Sequence, residues 1–539
     1  MQTTKNILQK IQSPQDLRAL TPDELEPLCA EIRAFLTEGA YGKEGHINSS
    51  LGVTELSVAL HKVFNTPEDV LVWDVGHQAY VHKILTGRKD VFYTNRKKGG
   101  ISGFTKIDES EYDAFGAGHS STSISAICGF AEADKLLNKS RNYIAVIGDG
   151  ALTGGMSFEA LNYAGGKGLP LLVILNDNEK SIDDNVGYLS AKETYKEYFE
   201  SLGFEYHFTR DGNHVTHLVH YLRELKDVSR PRVLHLKTQK GVLKKSASSK
   251  NNTFQDQFTD MLRDAITQNQ RIVALSPAML SGSGLSALQQ EFPNHIFDTG
   301  ITEQHVVTMA AGMAANGLKP VVHLYSTFAQ RALDQIVHDV ALQNLPVVFA
   351  LDRSGVVGED GATHHGVFDM SLLRAIPNLK IYTPFDALSF KEAFNSAFKA
   401  QHPVVIRYPK ADILTLSPEI NEVDYAVFRS GREADVAVIT MGSTTALLEE
   451  ACAKQNLSHF ALKQIKPLPE ASMTAFLQKY KKVHVFEEGS KIGGVGEAIQ
   501  ALGIGTTKVI VHAIDDNFVP HGNRDELLKD LGLTKFIYP

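Results

Sequence analysis

Eight short runs of Val, Ile and Leu, apolar at nearly every position, constrain this chain more than any other feature. They occupy residues 142–148, 171–175, 320–325, 346–352, 403–408, 434–440, 482–488 and 508–514. A strand with one face in water alternates apolar and polar residues, whereas a strand covered on both faces does not. The runs therefore predict parallel strands inside sheets, and the helical stretches between them predict α/β layers. A chain of 539 residues is too long for a single core. Two breaks in composition divide it. One is "KGVLKKSASSKNNTFQDQ" (240–257), basic and then Ser/Asn-rich without apolar periodicity; the other lies near 418–435. The expected organisation is three doubly wound parallel-sheet domains, at 1–245, 258–417 and 430–539, with a linker at 246–257.

The net charge of −8 excludes a general nucleic-acid binder, because no basic surplus exists to neutralise a phosphate backbone. Cys29, Cys128 and Cys452 are odd in number and far apart, which excludes a disulfide framework and suits a reducing compartment. The opening residues "MQTTKNILQKIQSPQDLRAL" are polar and lack an apolar signal-peptide core, and no run approaches the ~18 apolar residues of a membrane span. The expected location is the cytoplasm.

The chemistry is concentrated where the first run ends, in "YIAVIGDGALTGG" (143–155). Open α/β sheets bind ligands at the carboxyl edge of their strands, and Gly148 and Gly150 let the backbone turn there. The following helix, through "GGMSFEALNYAG" with Met156, Ala160, Leu161 and Ala164 at helical spacing, starts with an anion-attracting N-terminus. Asp149 would repel a phosphate at that turn unless a cation lay between them. The next run ends in "NDNEKS", and adjacent parallel strands put Asn178 near Asp149. A carboxylate, an amide oxygen and a backbone carbonyl form a hard-oxygen site suited to Mg²⁺, with phosphate oxygens and water completing it. Two other readings stand beside this one. The motif is also a plain turn, and it is also a loose dinucleotide fingerprint with Asp177 as the ribose-binding acid, although its spacing is G-x-G-x-x-x-G.

"GDG" followed by "NDN", with 29 residues from Asp149 to Asn178, resembles the motif of thiamine-diphosphate-dependent enzymes. The stretches 73–88, 109–125, 300–317, 325–369 and "RYPK" (407–410) are similar to the 1-deoxy-D-xylulose-5-phosphate synthase family. That resemblance implies a transketolase-like architecture, thiamine diphosphate and Mg²⁺ as cofactors, and pyruvate and glyceraldehyde 3-phosphate as substrates. It also implies a homodimer whose product feeds isoprenoid, thiamine and pyridoxal synthesis, with the cofactor between two domains of one chain. Residue by residue, it implies Asp149, Asn178 and the Lys180 carbonyl on the metal. His77, Gly118, His119, Ser120, Gly150 and Ala151 line the cofactor, and Glu303 is the acid at its aminopyrimidine. His46, His364 and Asp360 handle protons at the acceptor, while Tyr325, Arg331, Arg353 and Arg407 bind substrate. His82, five residues beyond His77, reads as a packing residue, and His365 has no counterpart in the motif.

The chain departs from the family at three places. Only "AKETYKEYFES" stands where a long insertion is usual before "LGFEY"; the linker lacks its aromatic residue and its histidine; and "HINSS" and "RYPKA" replace the usual motifs. These departures keep two alternatives open: a thiamine-diphosphate ketol transferase with a transketolase-like or altered acceptor, and a non-catalytic paralogue of the same fold.

Overall fold

The structure is a computed structural model that describes residues 6–38, 45–179, 185–189, 194–227, 229–239, 241, 252–429, 435–503 and 505–534. The chain divides into two compact units, Met1–Ala247 with Gly300–Thr302, and Ser248–Thr299 with Glu303–Pro539.

The first unit holds a five-stranded, all-parallel sheet made of β1 (Val70–Trp73), β2 (Tyr143–Gly148), β3 (Leu171–Asp177), β4 (Glu205–Thr209) and β5 (Arg232–Lys237), in the order β1-β2-β3-β5-β4. The reason for the unbroken apolar runs is visible in the packing. Successive residues of a strand face opposite sides of its sheet. Leu71, Trp73, Ile144, Val146, Leu172 and Ile174 meet the N-terminal helices Pro22–Glu38 and Thr54–Val63 and the helix Val215–Glu224. The residues between them, among them Val70, Val72, Ala145, Ile147, Val173 and Leu175, meet Ser123–Leu136 and Gly155–Lys167 on the other side. Of the four residues expected on the inner stripe of the last helix, Ala160, Leu161 and Ala164 are buried and Met156 is exposed. Truncating a sheet-centre side chain such as Leu175 to alanine costs about 2–5 kcal/mol.

The second unit holds two sheets. In one, β6 (Ile272–Ser276), β7 (Ile296–Asp298), β8 (Lys319–Tyr325), β9 (Val348–Asp352), β10 (Lys380–Tyr382) and β11 (Val404–Arg407) run parallel in the order β10-β11-β9-β8-β6-β7. The other contains β12 (Ile420–Asn421), β13 (Tyr425–Arg429), β14 (Val436–Met441), β15 (Ser458–Leu462), β17 (Lys482–Ser490) and β18 (Lys508–Ile514), in the order β12-β13-β15-β14-β17-β18. Strand β16 (Gln464–Lys466) leaves β15 and pairs antiparallel with β10, stitching the two sheets together. One continuous apolar cluster runs from Leu351 and Val405 of the first to Ile439 and Leu462 of the second.

All eight strands expected from the sequence are present. The C-terminal end of the expected linker is helical instead: Thr253 caps the helix Phe254–Gln268, its hydroxyl accepting from the Asp256 N–H while the Asp256 carboxylate accepts from the Thr253 N–H. This reciprocal box satisfies two backbone donors at the helix start. Residues 242–251 lie outside the described residues. Among the described residues, no helix is long and apolar enough to cross a membrane.

Candidate active site

In the first unit, β1, β2 and β3 end side by side. Their register pairs Trp73 with Val146 and Gly148 with Asn176, so Asp74, Asp149 and Asp177 follow at one carboxyl edge. Asp149 is buried, and its carboxylate accepts from the Gly150 N–H at 3.0 Å and from Asn185 Nδ2 at 2.7 Å. Burial first, and the neighbouring Asp177 carboxylate second, push the Asp149 carboxyl up to about 7. Asp177 is held low despite its burial, because His235 Nε2 and Lys237 Nζ each lie 2.9 Å from its Oδ2. Asn178 is half-buried, one residue beyond β3. Lys180 lies outside the described residues.

Asp74 organises the neighbouring loop. Its two carboxylate oxygens accept from the Ser121 and Ser123 N–H groups at 2.7 and 3.0 Å, which fixes the loop of Gly118, His119 and Ser120 at the start of helix Ser123–Leu136. Ser121 Oγ then donates to the Ala151 carbonyl at 2.7 Å and ties this loop to the turn after Asp149. His46 begins the helix Ile47–Gly52, with its ring 5.9 Å from that of His77. His82 is fully buried, with His61 and Asp113 each 2.9 Å from its ring nitrogens, and it packs as expected.

In the second unit, Glu303 opens the helix Glu303–Ala315 and is buried. Arg331 Nε donates to its Oε2 at 3.1 Å. Burial raises the Glu303 carboxyl above the ordinary range, and the Arg331 charge opposes that only in part. At the carboxyl edge of β8 and β9, Tyr325 pairs in register with Asp352. The Arg353 guanidinium lies 3.9 Å from the centre of the Tyr325 ring, a cation–π distance. Phe328 joins Tyr325 to His364, with ring separations of 5.5 and 5.6 Å. Asp360 precedes the short turn Gly361–Thr363 that leads into His364.

Arg407 does not end at this surface. It is 4% exposed; its Nε donates to Asp369 Oδ2 at 2.7 Å and its Nη2 to the Glu488 carbonyl at 2.8 Å. The exposed residue of this motif is Lys410, whose ammonium is lowered by desolvation and then by the charge of Arg353. Among the described residues, neither Arg353 nor Lys410 has a carboxylate ion-pair partner.

A family model described as 1-deoxy-D-xylulose-5-phosphate synthase matches residues 8–196. Models of the transketolase thiamine diphosphate binding, pyrimidine binding and C-terminal domains match residues 116–279, 251–414 and 424–536. The 1-deoxy-D-xylulose-5-phosphate synthase of Francisella tularensis subsp. mediasiatica is 42% identical, and the match covers 97% of this chain and 96% of that protein. The chain belongs to the 1-deoxy-D-xylulose-5-phosphate synthase family. The synthase of Francisella tularensis subsp. novicida gives the same identity and coverage. A transketolase from Campylobacter jejuni is similar over 98% of both chains, at 17% identity and a TM-score of 0.48. The alignment with the first synthase runs over 594 positions, more than the 539 residues of this chain, so the relatives carry insertions that it lacks.

The family's cofactor is thiamine diphosphate with Mg²⁺, and the residues in the first unit fit it. A buried carboxylate beside a second carboxylate calls for a cation, and Asn185 Oδ1 is a buried acceptor without a hydrogen-bond partner. Among the described residues, no cluster of three or more His, Cys, Asp and Glu side chains forms. Asn185, Asp74, Phe328 and Lys410 are the residues that motif reading missed. The signal for Asp74 is an acid directly after a buried strand, as at Asp149; the signal for Lys410 is a second cation in "RYPK".

Proposed function

We propose that this chain condenses pyruvate with D-glyceraldehyde 3-phosphate to 1-deoxy-D-xylulose 5-phosphate and CO₂, as its family does, with the roles divided between its two carboxyl edges. Asp149 and Asn178 hold Mg²⁺, joined by the Lys180 carbonyl; Asn185 orients the Asp149 carboxylate. His77, Gly118, His119, Ser120, Gly150 and Ala151 line the cofactor. Bound thiamine diphosphate supplies an electron sink for the carbon that loses CO₂.

The observation that carries this reading is Glu303, a buried acid at a helix start with its pKa raised and one arginine beside it. Burial disfavours the charged form of this acid, so it shares a proton with a ring nitrogen more readily than an exposed carboxylate does. Arg331 orients it. Tyr325, Arg353 and Lys410 receive the acceptor's phosphate: the guanidinium, 3.9 Å from the centre of the Tyr325 ring, offers a fork to two phosphate oxygens and Lys410 adds a second charge. This reading makes Arg407 the internal strut of that subsite rather than a phosphate ligand. His46, His364 and Asp360 hold and move protons at the acceptor's oxygens.

Glu303→Gln tests the assignment. Thiamine diphosphate affinity, measured by calorimetry with Mg²⁺, is expected to stay within about tenfold, while CO₂ release from pyruvate falls on the order of 10²–10⁴-fold. Undiminished CO₂ release would place the acid elsewhere.

The finer reading is a cytoplasmic homodimer. The helix Gly155–Lys167 exposes Met156 and Tyr163 on one side of its buried stripe, an apolar surface suited to a second copy. Cys29, Cys128 and Cys452 are buried free thiols, as a reducing compartment allows. Sedimentation of Met156→Glu beside the unmodified protein tests the face: a shift toward monomer supports it, and an unchanged dimer removes it.

A further inference from the structure

The loop after β9 carries Arg353, Asp360 and His364, and it extends from Arg353 to Val367 beyond the support of its own sheet. Its first side is held locally: the Ser354 N–H donates to the Tyr408 carbonyl at 3.0 Å, and Gly355 and Gly366 exchange N–H···O bonds at 2.8 Å. Its other side is held by the third sheet. The Val356 N–H donates to Glu488 Oε1 at 2.7 Å, and the Val356 carbonyl accepts from Arg524 Nε at 2.8 Å. Arg524 Nη2 is 2.9 Å from each Glu488 oxygen, and Ser443 Oγ also donates to that carboxylate. The carboxylate, at the end of β17, is thus a buried hub with donors from the loop, from the start of helix Ser443–Lys454 and from the C-terminal Arg524.

The loop is shaped to this hub. A Cβ on Gly355, whose φ is +83°, would fall 2.6 Å from Glu488 Oε1, and one on Gly361 would fall 2.9 Å from the His521 Cβ. His365 completes the clamp. Its Nδ1 accepts from the Val357 N–H at 3.0 Å, and its Nε2 lies 3.1 Å from the Pro520 carbonyl, which fixes Nε2 as the protonated nitrogen. The contacts made to the loop itself end on the backbone of Ser354, Gly355, Val356 and Val357, within four residues of Arg353, or on Gly361, His365 and Gly366 around His364.

We infer that Glu488 and Arg524 are positioning residues for the acceptor: through Val356 they set the direction of Arg353, so the third sheet tunes capture of the phosphorylated aldehyde and leaves cofactor and pyruvate handling alone. This rests on Arg353 being the phosphate ligand, as proposed above. Glu488→Gln keeps an oxygen for Val356 but loses the charge that holds Arg524. Arg524→Lys keeps the charge and loses the bridge to the Val356 carbonyl, from a side chain that is 21% exposed and so tolerant of change.

The experiment measures steady-state kinetics of the full-length holoenzyme with pyruvate and with two acceptors, D-glyceraldehyde 3-phosphate and unphosphorylated D-glyceraldehyde, for Glu488→Gln, Arg524→Lys and Arg353→Ala. The expected result for both clamp variants is a rise of about tenfold in KM for the phosphorylated acceptor. The KM values for pyruvate and D-glyceraldehyde, and thiamine diphosphate affinity, stay within about twofold. Equal losses with both acceptors, or unchanged KM for the phosphorylated one, overturn the inference. Arg353→Ala separates the two levels. If it raises the phosphorylated-acceptor KM while the clamp variants do not, only the clamp is wrong; if it leaves that KM unchanged, the phosphate reading and the clamp fall together. Should Glu488→Gln not fold, Arg524→Lys alone carries the same comparison.

Discussion

The carboxyl edges of the first and second sheets are built in opposite ways. At the first, the proposed site residues sit in short turns that follow directly on buried strands: Asp74, Asp149 and Asn178 are placed by parallel register, and backbone amides donate to Asp74 and Asp149. At the second, the proposed acceptor site relies on long cationic side chains whose contacts lie far off in sequence. Arg353 follows β9 and Arg407 ends β11, yet Arg353 lies over the Tyr325 ring whereas Arg407 is buried against Asp369 and the Glu488 carbonyl. Strand register decides the position of a turn residue. The choice between ligand and strut for an arginine is decided by whichever carboxylate the tertiary fold brings beside it.

That contrast can be broken most strongly at the first edge. Asp149→Ala is expected to abolish Mg²⁺-dependent thiamine diphosphate binding in calorimetry and to remove activity with it, because in the proposed metal site a single carboxylate carries the ionic part. Binding of undiminished strength would shift the metal to Asp177. At the second edge, Arg407→Ala leaves Asp369 buried without its partner and is expected to lower unfolding free energy by about 3–5 kcal/mol. Arg353→Ala is expected to change stability by less than about 1 kcal/mol and to raise KM for the aldehyde phosphate instead. Chemical denaturation of both variants, run with the kinetics, separates strut from ligand; the reverse pattern would exchange the two roles.

The smallest effect concerns Asp352, which lies beneath Arg353. Burial pushes its carboxyl up to about 6 from an ordinary value of 3.8. The folded protein therefore keeps a proton that the unfolded chain releases, and stability falls as pH rises between about 4 and 6. Asp352→Asn is expected to flatten that part of the stability–pH profile, removing a drop of up to about 3 kcal/mol, at about 1.4 kcal/mol per pKa unit. An unchanged slope would mean that Asp352 is already ionised.

The sequence carried the fold where strands are continuous in Val, Ile and Leu, and carried less where buried polar residues interrupt them. β5 contains His235, buried against Asp177, and β15 contains buried Ser458 and His459, the histidine bonded to Thr440 and Glu449; both strands escaped the apolar pattern. β4, partly exposed and polar, offers no such run. The two breaks in composition did not foretell that the second and third sheets share an apolar core, since the residues that join them, such as Leu351 and Ile439, look like any others within their own strands. Among the site residues, Asp149 and Glu303 were legible because a strand end and a helix start fix them locally. Lys410 was not, because exposure had to be known before one cation of "RYPK" could be preferred to the other.

The most direct measurement of the central claim combines the purified protein with thiamine diphosphate, Mg²⁺ and pyruvate, with and without D-glyceraldehyde 3-phosphate, and follows CO₂ release and product mass. The account predicts CO₂ release that rises with the aldehyde, together with a pentulose phosphate formed in equal amount. Thiamine diphosphate binding without that product, or release of CO₂ indifferent to the aldehyde, would contradict it.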